Sequence, residues 1–545
     1  MNLIARIKRE IFHFFSLRRV GAQPQEGDEA AWKYFKKNLP TYQTGAFPKK
    51  GNVALLVTST YLVEIELVYA KALVAANYRP VLLVMKPDWM ALRKIKACGL
   101  DYINYSAFRG LIDWEECEGQ AERLLSDLGR EKWVGIIKDG VHLGSNALAS
   151  FLRHQRKHEC DFSVEAERRV YSNHFKNAYT SSQLAKEIYE RIKPSVLVVN
   201  DRVYSPVSEL FQLAVSRGIR VLTRNSSQNT GYEVIKSYQN PESVHTHPHS
   251  LSSKSWDTVK GAAWKSERWE ELKAMLYKSY ESGDWFAEVG TQFNKMILSK
   301  EEVLSRLGWS SENPIAVVFS HIFWDGTMSY GSDLFDNYYD WFVHVVEAAS
   351  KNTNVNWIFK IHPANMVKAK RDGVGYESEE LKCILSKLGS LPEHIRILES
   401  DSDVSTYCLF GVMDYCLTVR GTVGIESAAF GVRTLTAGTG RYDRMGFTKD
   451  FESRESYLDA LSYLHTMPQM SETEIELARK YAYAVFLQRH LFLDPIKWVV
   501  SKDETASQTL SLVDYRNWEK FSTTDFCQRL RELLEGGDDD ILVQS

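Results

Sequence analysis

Two groups of polar residues in the second half of the chain have the types and spacing needed to bind a phosphate. The first group is Lys360 and His362, which follow an apolar run and precede Pro363. The lysine supplies a cation, the histidine supplies a hydrogen-bond donor, and the proline fixes the backbone that leaves the strand. Ligands of open α/β sheets bind at the carboxyl ends of strands, so this position favours a ligand site. A buried histidine bonded to a backbone carbonyl is the alternative.

The second group lies in the segment 418–431, where an apolar run leads into a glycine-containing turn and then a helical pattern. Its candidate donor-binding residues are Arg420, Gly421, Thr422, Val423, Gly424 and Glu426. Amides at a helix N-terminus receive anions, and the two glycines permit a close approach. Glu426 suits ribose hydroxyls, although it could instead complement the helix dipole. Arg420 could neutralise a phosphate or a sugar carboxylate, or could face solvent.

Two aspartates are candidates for catalysis. Asp201 follows the apolar run 195–199 and precedes a helical pattern, and Asp325 follows the apolar run 315–320. A carboxylate at a strand end can remove a proton from a substrate hydroxyl or act as a nucleophile. The alternatives are helix capping near Pro206 for Asp201 and an Asp-Gly turn for Asp325.

Acceptor binding is predicted for the first half of the chain. Asp139 stands at another strand end, although an Asp-Gly turn also explains it, and Arg224 follows the apolar run 219–223. Arg153 and His154 could add positive charge beside a sugar acid. The histidines of the run 245–249 alternate without an acidic or cysteine partner at a telling spacing, so we predict a polar loop there and no metal. No cofactor is predicted.

The elements that position these residues alternate between β-type runs and helical patterns. The β-type runs are 53–58, 80–85, 133–137, 195–199, 219–223, 315–320, 357–361, 395–398, 415–419 and 434–437. Such alternation predicts parallel sheets and an α/β fold with two Rossmann-like lobes, followed by C-terminal helices at 472–490 and 524–536. This is the glycosyltransferase B architecture, and epimerases and other nucleotide-binding enzymes share the same layout. The predicted domains are 1–50, 51–305 for the acceptor lobe, 306–470 for the nucleotide lobe and 471–545, whose acidic tail 538–540 should be solvated.

Composition limits the classes of partner and the compartment. The chain has 545 residues and a formal net charge of -3, so it has no general attraction for nucleic acid. Its seven cysteines contain no metal-type spacing and fit a reducing cytosol. We expect neither a membrane-spanning helix nor a cleaved signal peptide. An amphipathic, basic N-terminal stretch could lie on the inner face of the cytoplasmic membrane, or could pack on the protein as an ordinary helix.

The two phosphate-type groups are followed by a third segment, which contains Thr436, Gly438, Gly440, Tyr442, Gly446 and Thr448. In this order and spacing, the three segments resemble the capsule polysaccharide biosynthesis family, which includes bacterial Kdo transferases. The resemblance covers about residues 315–450, and the first lobe matches only in general layout. The pair Arg420-Gly421 departs from the serine-rich pattern of the family, which leaves the donor open.

The resemblance implies a glycosyltransferase that builds surface polysaccharide from a CMP-activated keto-sugar acid such as CMP-Kdo, with a nucleotide-sugar donor and a glycan or glycolipid acceptor. Similar His-Pro and Ser/Thr-rich elements occur in bacterial sialyltransferases and in CDP-glycerol-using polymerases, which favours a cytidine nucleotide. The alternatives are a transferase that uses CDP-glycerol or a UDP- or GDP-sugar, and a non-catalytic subunit that binds a sugar nucleotide within a polysaccharide assembly complex.

Overall fold

The computed structural model describes residues 32–33, 52–58, 63–86, 89–229, 231–283, 295–309, 313–493, 496–502, 508–515 and 524–543. The amphipathic N-terminal stretch predicted from the sequence lies outside these residues. Among the helices that are described, none combines the length and the apolar composition needed to cross a bilayer.

The strands are numbered in chain order. They are β1 (Asn52–Thr58), β2 (Tyr78–Val84), β3 (Asp101–Asn104), β4 (Pro194–Val199), β5 (Arg220–Ser226), β6 (Tyr232–Tyr238), β7 (Ile315–Phe319), β8 (Asn356–Lys360), β9 (Ile395–Leu398), β10 (Tyr415–Thr418), β11 (Arg433–Thr436), β12 (Leu491–Phe492), β13 (Ile496–Lys502) and β14 (Gln508–Tyr515).

The α-helices follow the same order. They are α1 (Val63–Ala75), α2 (Trp89–Ala97), α3 (Tyr105–Phe108), α4 (Trp114–Ser126), α5 (Leu143–Gln155), α6 (Glu165–Ile192), α7 (Val207–Ser216), α8 (Ser253–Gly261), α9 (Ser266–Ser282), α10 (Lys300–Leu307), α11 (Tyr338–Lys351), α12 (Ala364–Arg371), α13 (Glu379–Leu388), α14 (Thr406–Leu409), α15 (Thr422–Ala429), α16 (Arg454–Ser462), α17 (Glu472–Tyr483) and α18 (Asp525–Glu535).

The first lobe is built on a sheet with the order β12-β6-β5-β4-β1-β2-β3. The strands from β5 to β3 are parallel, and β6 runs antiparallel to β5. Leu55 and Val57 of β1 face a core shared with α4 to α7, whereas Ala54 and Leu56 face a core shared with α1, α2 and α18. Because successive side chains of a strand point to opposite faces, the sheet is covered by helices on both sides.

The second lobe is built on a parallel sheet with the order β11-β10-β7-β8-β9. Its strands are short, and β7 consists entirely of buried apolar residues, as expected for a sheet that is covered on both faces. Helices α11, α13 and α16 pack on one face, and α10 and α14 pack on the other. The predicted α/β class with two Rossmann-like lobes is therefore confirmed.

One predicted strand is wrong. The run 133–137 forms no strand, because a 3-10 helix spans Arg130–Gly135. Trp133 explains the difference, since its indole N–H donates to the Leu125 carbonyl at 2.9 Å and its ring stacks on Tyr171. A short apolar run can form either a buried strand or a buried turn, and here the packing of one tryptophan decides.

The C-terminal part of the chain returns to the first lobe. Strand β12 pairs antiparallel with β6, and α18 packs on α1. The Asp540 carboxylate lies 2.9 Å from the Lys236 amine and 3.2 Å from the Arg489 guanidinium, and none of the three side chains is more than 3% exposed. The prediction of a solvated acidic tail is thus wrong for Asp540, because two buried cations hold its charge inside.

We expect Asp540→Ala to lower the free energy of unfolding by about 3–5 kcal/mol, because it leaves two buried cations without a carboxylate. Urea unfolding followed by tryptophan fluorescence measures the change. The matched control is Asp538→Ala, whose partner Lys254 is 76% exposed, and the expected change there is about 0–1 kcal/mol. Equal effects of the two substitutions would contradict the role of the buried ion pairs.

Candidate functional site

A pocket of about 160 Å³ lies where strands β7, β8 and β10 of the second lobe end. We call it the strand-end pocket. Its lining residues include Tyr280, Ser320, His321, Lys360, His362, Pro363, Thr406, Thr418, Gly421, Thr422, Val423 and Glu426. The structure therefore brings the two phosphate-type groups of the sequence together around one space, although some 60 residues separate them along the chain.

Lys360 is the last residue of β8 and its side chain is buried. Among the described residues, no group forms a hydrogen bond with its Nζ. Burial and the neighbouring charge of Lys295 lower the pKa of the amine to about 7. A buried amine without a partner is costly, and an anion in the strand-end pocket would remove that cost.

Glu426 lies in α15 on the other side of the pocket and is also buried. One carboxylate oxygen accepts a hydrogen bond of 2.7 Å from the Tyr280 hydroxyl, and the other has no hydrogen-bond partner in the described part of the chain. Burial raises the pKa of Glu426 to about 7, against the opposing effects of Tyr280 and Arg441. The unpartnered oxygen is therefore available to a ligand hydroxyl.

His362 presents a donor to the same space. Its Nδ1 accepts a hydrogen bond of 3.1 Å from the Ala364 amide, so the ring proton belongs on Nε2. Burial and the charge of Lys368 lower the pKa of the imidazole to about 4, and the ring is neutral at pH 7. The backbone amide of His362 donates to the Ser320 hydroxyl at 2.9 Å, which fixes the chain at the strand end.

The glycine turn that enters α15 is held from behind by two consecutive residues. Arg441 donates to the Arg420 carbonyl at 3.2 Å and to the Thr422 hydroxyl at 2.7 Å. Tyr442 donates to the Gly421 carbonyl at 2.7 Å. Arg441 is buried, and no carboxylate of the described chain pairs with it. Its charge therefore adds positive potential at the N-terminus of α15, which lines the pocket. Sequence reasoning assigned no role to Arg441.

Two of the predicted donor-binding residues do not line the strand-end pocket. Arg420 is buried and forms an ion pair with Asp333, and it also donates to the Tyr330 and Ser332 carbonyls. Its side chain therefore holds the loop after β7 and faces neither the pocket nor solvent. Gly424 packs against Tyr442, since a Cβ atom there would lie 2.0 Å from the tyrosine oxygen.

The two candidate catalytic carboxylates meet between the lobes. The Tyr204 hydroxyl of the first lobe donates to Asp325 of the second, and Lys368 and Arg153 also face that carboxylate. Burial opposes ionisation of Asp325, but these three partners outweigh it and lower its pKa. Asp201 keeps solvent contact within the crevice, where loss of hydration and the charge of Asp325 raise its pKa. Surroundings that shift the pKa values of two neighbouring carboxylates in opposite directions are typical of paired catalytic acids and bases.

Both predicted acceptor-binding residues lie outside this cleft. Arg224 is inside β5, since the strand continues to Ser226, and its guanidinium pairs with Glu66 and Glu233 in the interior. Asp139 sits in a surface turn with a φ of 53° and pairs with Lys186. The structure thus gives each residue a structural partner in place of a ligand.

Residues 246–250 form a loop, as the sequence predicts, after a 3-10 helix that ends at His245, and the histidines of the run 245–249 are half-buried. Loss of hydration lowers the pKa of His247 and that of His249 well below the usual value. Their rings lie 5.4 Å apart, and His247 packs on Tyr330. Over the ranges that the structure covers, no three His, Cys, Asp or Glu side chains are grouped to hold a metal ion.

Sequence reasoning also missed Tyr280, Tyr204 and Lys368. Tyr280 comes from the long connecting helix α9, 146 residues before its partner Glu426. Tyr204 becomes a functional candidate only when the lobes meet, and Lys368 only when the second lobe folds and brings it to Asp325. No local pattern points to any of the three.

We expect Gly424→Ala to distort the turn that enters α15 and to weaken nucleotide binding by at least about tenfold, because the new methyl group collides with Tyr442. Calorimetric titration with a nucleoside monophosphate measures the loss. Gly411→Ala is the control in the same lobe, since its nearest neighbour is 3.8 Å away and binding should stay unchanged. Normal binding by Gly424→Ala would mean that the turn adapts.

No family model and no curated protein matches the chain. Comparison with solved structures finds the β Kdo 2,4 transferase KpsC of Thermosulfurimonas dismutans, at 12% identity over 52% of this chain and 79% of that one, with a TM-score of 0.30. It also finds a UDP-GlcNAc 2-epimerase from Neisseria meningitidis bound to UDP-GlcNAc, at 10% identity over 80% and 96%, and a glycosyltransferase from Rickettsia africae ESF-5, at 11% identity over 80% and 93%. Both have TM-scores of 0.27. Likeness at this level concerns the fold alone.

Proposed function

We propose that this chain is a glycosyltransferase of bacterial surface polysaccharide synthesis, which transfers Kdo or a related keto-sugar acid from a CMP-activated donor to a glycan of capsule or lipopolysaccharide. The observation that carries the proposal is the strand-end pocket, where the buried Lys360 amine and one oxygen of Glu426 lack partners within the described chain. A nucleotide supplies what these groups need, because it carries an anionic phosphate and ribose hydroxyls.

The donor phosphate would bind between Lys360 and the N-terminus of α15. Thr422 and Val423 of the first helical turn line the pocket, and helix amides attract anions. Arg441 stands behind this turn and adds positive potential without entering the pocket. Glu426 would accept from a ribose hydroxyl, and the neutral His362 would donate through Nε2. The choice of cytidine over other bases rests on the sequence resemblance.

Departure of the nucleotide leaves negative charge on its phosphate. Lys360 and the amides of α15 are in place before the reaction, and preorganised charge of this kind usually supplies the largest part of catalysis. Asp201 would take the proton of the acceptor hydroxyl or attack the anomeric carbon, because its raised pKa makes it the more basic of the two carboxylates. Asp325, already paired with Lys368 and Tyr204, would orient the acceptor beside it.

The affinity for CMP should fall as the pH rises above 7. Lys360 has a pKa of about 7, and a bound phosphate must raise it. Binding is therefore strongest where the free amine is already protonated, below pH 7, and it weakens by up to about tenfold per unit above that value. The pKa of Glu426 is also about 7, so its ionisation would change CMP binding over the same pH range. Calorimetric titration of the Glu426→Gln protein with CMP removes that contribution and measures the effect of Lys360.

Lys360→Ala should remove the pH dependence and weaken CMP binding by about 10- to 100-fold, as expected for a lost charged hydrogen bond. The control is Lys351→Ala, which changes an exposed lysine of the same lobe and should bind CMP normally. If the CMP affinity of the Lys351→Ala protein were as constant from pH 7 to pH 9 as that of the Lys360→Ala protein, phosphate binding by Lys360 would be contradicted.

Purified protein should transfer sugar from CMP-Kdo, and Asp201→Asn should lower the rate by about 100- to 10,000-fold while CMP affinity stays within twofold. Chromatography of the products measures transfer, and mass spectrometry detects a sugar linked to Asp201 if the reaction uses double displacement. Loss of CMP binding together with transfer would contradict the catalytic assignment. Stabilisation by CDP, UDP or GDP in place of CMP would point to the other donors, and absence of any turnover with bound nucleotide would point to a binding subunit.

A further inference from the structure

A cavity of about 900 Å³ opens in the cleft between the lobes, separate from the strand-end pocket. We call it the cleft cavity. Its lining includes Lys86, Arg109, Arg153, Arg156, Tyr204 and Asp372. Tyr204 is the residue that bonds to Asp325, and it follows Asp201 by three positions. A molecule in the cleft cavity therefore contacts the residue that donates to Asp325, although neither candidate catalytic carboxylate itself lines the cavity.

The lining has an unusual charge for this protein. Lys86, Arg109, Arg153 and Arg156 are cations, and Asp372 is the one acidic residue among the lining side chains, although the chain as a whole carries -3. Arg153 and Arg156 both face Asp372 and both lie over the ring of Trp324. Their charges are therefore partly compensated by the second lobe.

Lys86 and Arg109 are solvent-exposed, and no carboxylate of the described chain forms an ion pair with either. The Arg109 guanidinium lies 4.4 Å from the centre of the Trp114 ring, which orients it without neutralising it. Like charges placed in a concave surface focus the field and attract anions. This end of the cleft cavity therefore carries an excess of positive charge that no lining carboxylate pairs with.

The remaining polar groups of the wall suit a sugar. The His154 and His174 rings meet edge to face at 5.6 Å, and burial together with His154 lowers the pKa of His174 to about 4. His174 is therefore neutral and can exchange hydrogen bonds with hydroxyls. Asn177 and Ser181 line the same wall.

We infer that the cleft cavity binds the acceptor through an anionic group, a carboxylate or a phosphate, that Lys86 and Arg109 hold while the hydroxyl to be glycosylated lies beside Tyr204. This inference rests on the proposed function, because it takes the bound molecule to be the acceptor. It assigns the acceptor to the acidic glycans or phosphorylated glycolipids, and it makes Lys86 and Arg109 the residues that select them.

The test measures binding of four small probes to the full chain by ligand-detected NMR. The probes are the methyl glycoside of Kdo, which carries a carboxylate, glycerol 1-phosphate, and the neutral methyl galactoside and glycerol. Each probe is titrated into the natural protein, into Lys86→Ala/Arg109→Ala, and into Lys260→Ala/Lys278→Ala. The last variant removes the same amount of charge from two exposed helix positions outside the cavity lining.

We expect at least one anionic probe to bind more tightly than both neutral ones, and Lys86→Ala/Arg109→Ala to weaken it by about fivefold while the control variant leaves it unchanged. Tighter binding of the Kdo glycoside would identify the anionic group of the acceptor as a carboxylate, and tighter binding of glycerol 1-phosphate would identify it as a phosphate. Equal binding of the two would mean that the site recognises negative charge of either kind. Neutral probes that bind as well, or anionic binding that survives the double substitution, would overturn the inference.

CMP binding is measured on the same samples. If CMP does not bind the natural protein but an anionic probe binds and needs Lys86 and Arg109, the proposed function fails and the anion site stands. If CMP binds but the probes do not discriminate, the anion site fails alone. Should the alanine variant unfold, Lys86→Gln/Arg109→Gln keeps most of the packing against Trp114 and gives the same comparison.

Discussion

The hydrogen bond from Tyr204 to Asp325 joins the two lobes at the place where the strands of both sheets end. Lys368 and Arg153 share the same carboxylate, so an acidic side chain of one lobe is surrounded by donors from both. Taking this carboxylate out of water is unfavourable unless every donor remains in place. Together with the ion pairs from Arg156 to Asp372 and from His158 to Glu379, these contacts hold the lobes in position around the cleft cavity.

Charge is distributed unevenly on the two sides of this contact. On the second-lobe side, Lys360 and Arg441 are buried without carboxylate partners in the described chain, and Glu426 is buried with a raised pKa. On the first-lobe side, Lys86 and Arg109 are solvent-exposed and form no ion pair within the described residues. Several other buried charges are paired, as with Asp540 between Lys236 and Arg489 or Arg224 between Glu66 and Glu233. The buried Glu209 and Glu380 accept hydrogen bonds from neutral donors instead. Cations that have no carboxylate partner in the described chain therefore line both the strand-end pocket and the cleft cavity.

The residues in and around the strand-end pocket differ in whether a short stretch of sequence was enough to identify their role. Lys360, His362 and Glu426 were recognisable because a strand end and a helix start each have a characteristic short pattern. Arg420 belongs to the same pattern, yet its guanidinium turns away to Asp333, since the loop after β7 offers a carboxylate and two carbonyls at closer range. Arg441 braces the glycine turn across 19 residues of chain, and no pattern in its neighbourhood distinguishes it from a surface arginine. Arg224 was assigned to a pocket because the predicted strand stopped at 223, three residues too early.

By itself, the sequence determined the α/β class, the two lobes, the strand end that carries Lys360 and the helix start that carries Glu426, because apolar periodicity and glycine turns are properties of contiguous residues. Only the tertiary structure decided that Tyr280 meets Glu426, that Tyr204 meets Asp325 and that the tail enters the core through Asp540. These partners are separated by 146, 121 and 304 residues, respectively. Partner choice over such distances depends on which buried charges the packed helices and sheets leave unsatisfied, and that balance exists only after folding.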